Sequence, residues 1–208
     1  MQDTIIGPLS YPRTRFRSRT SVHRDIDRLL VQIRYQASAG LGLHLGAGNE
    51  KIPGLVNCDL HNPAADRKID AIHLDEFADE SVDLIEHHHM WEHLSLADAE
   101  LALREWSRVL KPGGFLVVTC PDILRVCLLY IKNRALDMLT PRDEQIEYNI
   151  KMIVGSQEHS GIFHKSHYDG RLVRKILPSH GYSVEFIYPY PVRPTPSLLT
   201  IARKTARA

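Results

Sequence analysis

The chain has 208 residues, 43% of them hydrophobic, which is enough to bury one sizeable core and cramped for two full domains. Its formal net charge of +1 with 12 neutral histidines argues against a globally basic nucleic-acid binder or a protein drawn to anionic membranes. Cys58, Cys120 and Cys127 form no C-x-x-C pair, no signal-peptide pattern opens the chain and no apolar run approaches membrane-helix length, so the expected setting is cytoplasmic with reduced thiols.

The chain begins with an arginine-rich arm, Arg13 to Arg19, followed by helical apolar spacing at Ile26, Leu29, Leu30 and Ile33. Residues 1–40 are therefore expected to be an arm and helix preceding a domain over 41–208. "LGLHLGAGNE" from Leu41 predicts a buried strand breaking into a tight glycine turn, and "LVNCDL" a second strand too close behind for a long crossover helix. "RKIDAI" predicts a short third strand, "SVDLIEH" a fourth and "FLVVTCP" a fifth. Between the last two, "LADAELALREWSRVL" has helical spacing at Leu101, Leu103, Trp106, Val109 and Leu110. After Pro121 two helices follow with no strand between them, an expected helical insertion or lid over 121–168. "DGRLVRKILPSHG" is a helix capped by Asp169, with Pro178 expected to cut its last turn. "YSVEFIYPY" and "SLLTIARK" are joined too briefly for a parallel crossover and predict an antiparallel final pair. The pattern is α/β: a Rossmann-like, mostly parallel seven-stranded sheet with an antiparallel last strand, binding its ligand at the strands' carboxyl ends.

Gly46 and Gly48 lie directly after the first strand, where glycine allows close backbone approach to a ligand. Lys51 occupies the position of a dinucleotide site's third glycine, and no long helix follows, so a ligand without phosphates fits better. Asp59, ending the second strand, offers two carboxylate oxygens to both hydroxyls of a ribose. The turn and the acid together point to an adenosine-bearing, phosphate-free cofactor.

"LHLGAGNEKIPGLVNCDL", "DEFADESVDLIEHHHMWEHL" and "LREWSRVLKPGGFLVVTCPD" resemble class I S-adenosylmethionine-dependent methyltransferases, in particular small members encoded near surface-polysaccharide genes. The resemblance covers Leu41 to Asp122. Beyond it, "IVGSQ" and "FHKSHYDGRLVRKILPSHGY" are similar to later family segments, with Ser156 and Ser166 where glycine is usual. The resemblance implies S-adenosylmethionine as cofactor, held by Gly46, Ala47, Gly48, Asp59 and Leu60, with Asp70 (or Asp75, if the loop shifts) and Ala71 at the adenine and His87 nearby. His87 and His88 depart from the small residues usual at their positions.

"DLIEHHHMWEHL" contains an H-x-x-E-H string, His89 to His93, that zinc peptidases carry on a helix. Ser95 and Asp98 form a capping pair that starts the helix after His93, so His87 to Leu94 is expected to be a loop and no metal is expected. His89 and His93, matching the family's histidine followed by Glu-His, become candidate bases; Glu92 is expected to pair with a backbone amide or an arginine. Gln157, His159, His164, His167 and Tyr168 form a second polar cluster, read as a lid or substrate wall, with Gln157, His164 and Tyr168 contacting the acceptor.

The expected function is methyl transfer to a small hydroxylated acceptor, a sugar or glycan precursor. Nucleic acid is disfavoured as substrate because the fourth strand ends in "EHHH" rather than an Asp/Asn-Pro-Pro-aromatic turn. A zinc hydrolase and a non-catalytic cofactor binder are the alternatives. The sequence does not specify an oligomeric state.

Overall fold

The structure, a computed structural model, describes residues 21–157, 160–191 and 196–206. The arginine-rich arm and His159 lie outside the described residues. Among those described, no helix is long and apolar enough to cross a membrane.

Helix α1 (Ser21–Ala37) leads into β1 (Gly42–Leu45), β2 (Val56–Cys58) and β3 (Val82–His88). Helix α2 (Leu96–Val109) precedes β4 (Leu110–Pro121), and α3 (Ile123–Asp137) and α4 (Asp143–Val154) follow it. Helix α5 (Gly170–Ser179), β5 (Tyr182–Pro191) and β6 (Pro196–Lys204) complete the chain. The sheet order is β2-β1-β3-β4-β6-β5. The first four strands are mutually parallel, and β6 runs antiparallel to both its neighbours. The expected α/β architecture and antiparallel final pair are therefore present.

The described sheet has six strands rather than seven. "RKIDAI" is reduced to one parallel bridge, Cys58 with Arg67, on the outer side of β2. Its backbone turns away at once: Asp70 Oδ1 accepts from Ile72 N at 3.1 Å, and His73 N donates to Asp70 O at 3.0 Å. A carboxylate that caps its own following turn ends a strand before it can pair further.

Burial separates the helical faces. In α1, Ile26, Leu30, Ile33 and Ala37 repeat at helical intervals and are buried, while Leu29 faces outward. In α2 the buried face is Ala99, Ala102, Leu103, Trp106 and Val109, and Leu101 is exposed. Ser95 Oγ accepts from Asp98 N at 3.1 Å, so α2 starts where its capping pair indicated. Pro178 does not cut α5, which runs through Ser179 before Gly181 turns at φ +81°.

One cluster, against α1, includes Leu84, Val117, Leu199 and Ile201 from the sheet. The other gathers Leu43, Leu45, Ile85, Leu116 and Val118 with α2 and α5. Among the apolar residues under α1 lies a buried ion pair. Glu86, fully buried, receives Arg34 Nε at 2.8 Å and Nη2 at 2.5 Å, and His88 Nε2 lies 2.8 Å from Oε1. Burial pushes the Glu86 pKa up, but the guanidinium and His88 outweigh it and hold it down to about 2.

Removing one partner of such a pair strands the other charge in the core. Arg34→Met should therefore destabilise the fold by about 3 kcal/mol, read as a fall of roughly 10 °C in Tm. Arg28→Met, at an exposed pair with Asp25, should change Tm little. Equal melting of the two variants would show that the Arg34 pair does not anchor α1.

Candidate active site

The parallel strands bring their carboxyl ends to one edge of the sheet. Leu45 pairs with Cys58 at the ends of β1 and β2, and His88 with Thr119 near the ends of β3 and β4. The next residues outward are Gly46 to Gly48, Asp59 and His89. β6, running the other way, starts at this edge and sets Ser197 opposite Pro121.

Gly46 and Gly48 have φ of +63° and +50°, the left-handed region where a side chain would be strained. A Cβ at Gly46 would stand 2.4 Å from Met90 Cγ, so the turn packs on Met90. A Cβ at Gly48 would meet nothing within 4 Å, which leaves that side of the turn open to a ligand. Asp59 ties the turn to β2. Its Oδ2 accepts from Gly48 N at 2.8 Å, and Oδ1 accepts from His61 N and Asn62 N, both at 2.8 Å. Burial raises the Asp59 pKa, and these backbone donors from Asn62, Gly48 and His61 outweigh it, so the carboxyl sits below its ordinary range. A carboxylate has about four acceptor positions. Three are used by the chain's own backbone, which leaves about one free. Leu60 is exposed beside Asp59, while Ala71 gives its carbonyl to Trp106 Nε1 at 2.7 Å.

The histidines divide by the alternation of β3. His88 is on the α1 side, with Nδ1 2.7 Å from Thr119 Oγ1 and Nε2 on Glu86. His87 is on the α2 side, fully buried, with its ring centroid 4.9 Å from that of Trp106 and 6.3 Å from that of Trp91. Neither of its ring nitrogens has a partner, and burial drives its pKa down to about 3. His87 was expected near the cofactor; the structure seals it inside the core.

His89 leaves the strand with φ +51°. Its N donates to Thr119 O at 2.8 Å, its Nδ1 lies 3.0 Å from Glu92 Oε1, and its Nε2 3.1 Å from Ser197 Oγ. Glu92 thus pairs with a histidine rather than with a backbone amide or arginine. A 3-10 turn, Trp91–His93, separates His89 from α2, so no continuous helix carries the H-x-x-E-H string. His93 instead turns its Nδ1 to Phe163 O at 3.2 Å.

The 160s segment binds back onto this turn. Lys165 N and Ser166 N donate to Glu92 O at 2.8 and 3.2 Å, and Ser166 Oγ donates to Trp91 O at 3.3 Å. Tyr168 stacks on Trp91 with ring centroids 3.9 Å apart and is buried. It is therefore a packing residue and not the substrate wall expected of it. His164 is half-buried beside His93, ring centroids 5.1 Å apart, and burial lowers its pKa. Gln157 is exposed at φ +60°.

Residues 47–118 match a protein family described as a methyltransferase domain. The match covers 72 of the 208 residues. Among solved structures, an S-adenosylmethionine-dependent methyltransferase from Methanosarcina mazei is 16% identical over 81% of this chain and 93% of its own, with a TM-score of 0.57. One from Mesorhizobium loti is 14% identical over 85% of this chain and 96% of its own, at 0.54. A third, 1,6-didemethyltoxoflavin-N1-methyltransferase from Burkholderia thailandensis, was solved with 1,6-didemethyltoxoflavin and S-adenosylhomocysteine. It is 13% identical over 89% of this chain and 85% of its own, at 0.51. At these identities the likeness shows the fold. No curated protein matches the chain significantly. The domain match and this fold are what the chain shares with S-adenosylmethionine-dependent methyltransferases.

Sequence reading missed Ser197, which only the antiparallel β6 brings to His89, and the partnership of Glu92 with His89. Chemistry at i and i+3 could have suggested the second; nothing local could have suggested the first.

Two outcomes follow from this geometry. Asp59→Ala should weaken S-adenosylhomocysteine binding by about tenfold or more, the size of one charge-assisted hydrogen bond lost; unchanged affinity by calorimetry would remove Asp59 from the site. His87→Leu removes two unpaired buried nitrogens and should stabilise the fold by about 1–3 kcal/mol. The His87 pKa is lower in the folded than in the unfolded state, so below the ordinary histidine value the unfolded chain binds the proton first, and stability falls with pH. Its share of that loss is about 2 kcal/mol between pH 6.5 and 5, and His87→Leu should flatten the profile there. Thermal melts across that range check both effects.

Proposed function

We propose that the chain is an S-adenosylmethionine-dependent methyltransferase that methylates a hydroxyl of a small acceptor, a sugar or glycan precursor, with His89 as the general base. The observation that carries this reading is the chain of contacts Glu92 Oε1, His89 Nδ1, His89 Nε2, Ser197 Oγ at the open end of the sheet. The cofactor supplies an electrophilic methyl group on a sulfonium centre. A hydroxyl is a weak nucleophile and has a proton to lose, so an imidazole positioned to take it is what an oxygen acceptor requires.

With Nδ1–H given to Glu92, His89 Nε2 is the basic nitrogen, and the carboxylate stabilises the imidazolium once it forms. An acceptor hydroxyl reaching Nε2 in place of Ser197 Oγ would give its proton there as its oxygen took up the methyl group that the bound cofactor would supply. The left-handed backbone of His89 supports the reading. Such a conformation in a non-glycine residue costs of order 1 kcal/mol and persists where the surroundings impose it. His93, the second candidate base, has a backbone carbonyl rather than a carboxylate behind it and is the weaker choice.

In this reading residues 41–208 form the catalytic domain. Gly46, Ala47, Gly48, Asp59 and Leu60 hold the cofactor, and Asp70 and Ala71 stand on the adenine side. The α3–α4 pair with Gln157 and His164 forms the acceptor side. The link to surface-polysaccharide chemistry rests on the resemblance of the sequence. No described feature favours the zinc-hydrolase alternative in its H-x-x-E-H form, because His89 and His93 face different partners.

Turnover of radiolabelled S-adenosylmethionine against monosaccharides, sugar nucleotides, amines and carboxylates tests the acceptor class. His89→Ala should lower kcat by about a hundredfold while leaving S-adenosylhomocysteine affinity within about threefold. The reading fails if amines are methylated in preference to hydroxyls, or if His89→Ala weakens cofactor binding and spares kcat. Cofactor binding with no turnover on any acceptor would favour the non-catalytic alternative.

A further inference from the structure

We infer that Glu92, His93 and His164 form a binding site for a borderline divalent transition-metal ion such as zinc. One metal-binding atom from each of the three lies within 4.8 Å of the others, the sole such His/Cys/Asp/Glu group found among the described residues. His164 joins two residues of the H-x-x-E-H string from 71 positions beyond His93. This set excludes His89 and owes nothing to helical i, i+4 spacing.

Three independent features prepare it. Glu92 is 2% exposed, and its Oε2 has no hydrogen-bond partner, while Oε1 is held by His89. A buried carboxylate oxygen without a donor is costly unless a cation meets it. Both imidazoles are held in one tautomer: Nδ1 of His93 faces Phe163 O at 3.2 Å, and Nδ1 of His164 faces Met152 O at 3.0 Å. A carbonyl can only accept, so each Nδ1 carries the proton and each Nε2 keeps its lone pair. This is the second-sphere arrangement that orients metal-binding histidines. The two chain segments are also joined without a metal. Lys165 N and Ser166 N bind Glu92 O, His164 N donates to Val154 O at 3.1 Å, and Trp91 stacks on Tyr168.

The donor set selects the ion. Two imidazole nitrogens and one carboxylate oxygen suit zinc and its first-row neighbours, whereas magnesium and calcium prefer oxygen throughout. Three protein ligands leave a coordination position open, as in reactive rather than purely structural sites. Ligand atoms around tetrahedral zinc stand roughly 3.4 Å apart, so loading draws the 160s segment closer to the 91–93 turn. The inference goes beyond methyl transfer and does not depend on it.

Full-length protein stripped with a chelator and titrated with cobalt(II) should bind one equivalent with visible absorption bands of a nitrogen- and oxygen-liganded site, displaced by zinc but not by millimolar magnesium. Zinc should raise the Tm of the unaltered protein. Glu92→Gln, which keeps the side-chain shape, and His164→Asn should each weaken zinc binding by at least about tenfold and abolish the zinc-dependent rise in Tm. His167→Asn, whose Nε2 bonds Ile153 O in the same segment, should leave both unchanged. Should either ligand variant fail to fold, His93→Gln carries the same readout. Absence of stoichiometric cobalt binding, equal displacement by magnesium, or full zinc affinity in Glu92→Gln and His164→Asn overturns the site. Every readout is taken without cofactor or acceptor, so failure of the metal site leaves the methyl-transfer reading standing, and the reverse.

Discussion

Glu86 places a charge in the middle of a parallel sheet, where an isolated carboxylate would neutralise itself or unfold the protein. It stays charged because Arg34 reaches down from α1 with both its Nε and an Nη, and His88 closes the remaining side of Oε1. The consequences run outward along β3. His88 is fixed between Glu86 and Thr119, which ties β3 to β4 by a side-chain link in addition to the ladder. Thr119 O then receives His89 N, so the first residue beyond the strand leaves in a set direction. The orientation of His89 therefore depends on an ion pair beneath the sheet, through contiguous hydrogen-bonded groups.

Two buried glutamates six residues apart show how similar burial serves different ends. Glu86 has donors on both oxygens and a guanidinium to balance its charge, which makes it a structural anchor. Glu92, also almost fully buried, has one oxygen on His89 and the other on nothing. A fold under no functional constraint would leave neither half of such a group bare. Glu92 lies in the same neighbourhood as the His93 and His164 imidazoles, and its occupied oxygen faces the proposed base. Glu92 is thus shared between the proposed base and the proposed metal site.

Most of the fold was readable from local pattern. Apolar spacing located α1 and α2, the Asp169 cap located α5, the Ser95 cap moved the start of α2 past His93, and the short Pro-rich junction indicated an antiparallel final pair. Two of the errors had different physical causes. "RKIDAI" has strand-like composition, yet the Asp70 carboxylate turns the backbone before more than one bridge forms. In α2 small alanines, Ala99 and Ala102, took buried positions that periodicity assigned to Leu101, because close approach of helix to sheet favours the small residue. In the site, the glycine turn and Asp59 were legible because their chemistry is carried by adjacent residues. Ser197, the docking of His164 on the 91–93 turn and the Arg34 partner of Glu86 were not. Each joins segments at least 52 residues apart, and no local periodicity encodes such a meeting.

The run of three histidines shows why residue type alone could not assign roles. In an extended strand successive side chains alternate between faces, so His87 and His88 enter opposite layers, one against tryptophans with no polar partner and the other into a satisfied ionic network. A third residue in the same geometry would return to the His87 side and be buried as deeply. His89 escapes because its backbone turns to φ +51°, which breaks the alternation at the last ladder bond and swings the ring toward Glu92 and Ser197. Three chemically identical side chains thus become an unpaired core residue, a structural link and a candidate base. The difference lies in one backbone dihedral and in which layer of the sheet each ring enters.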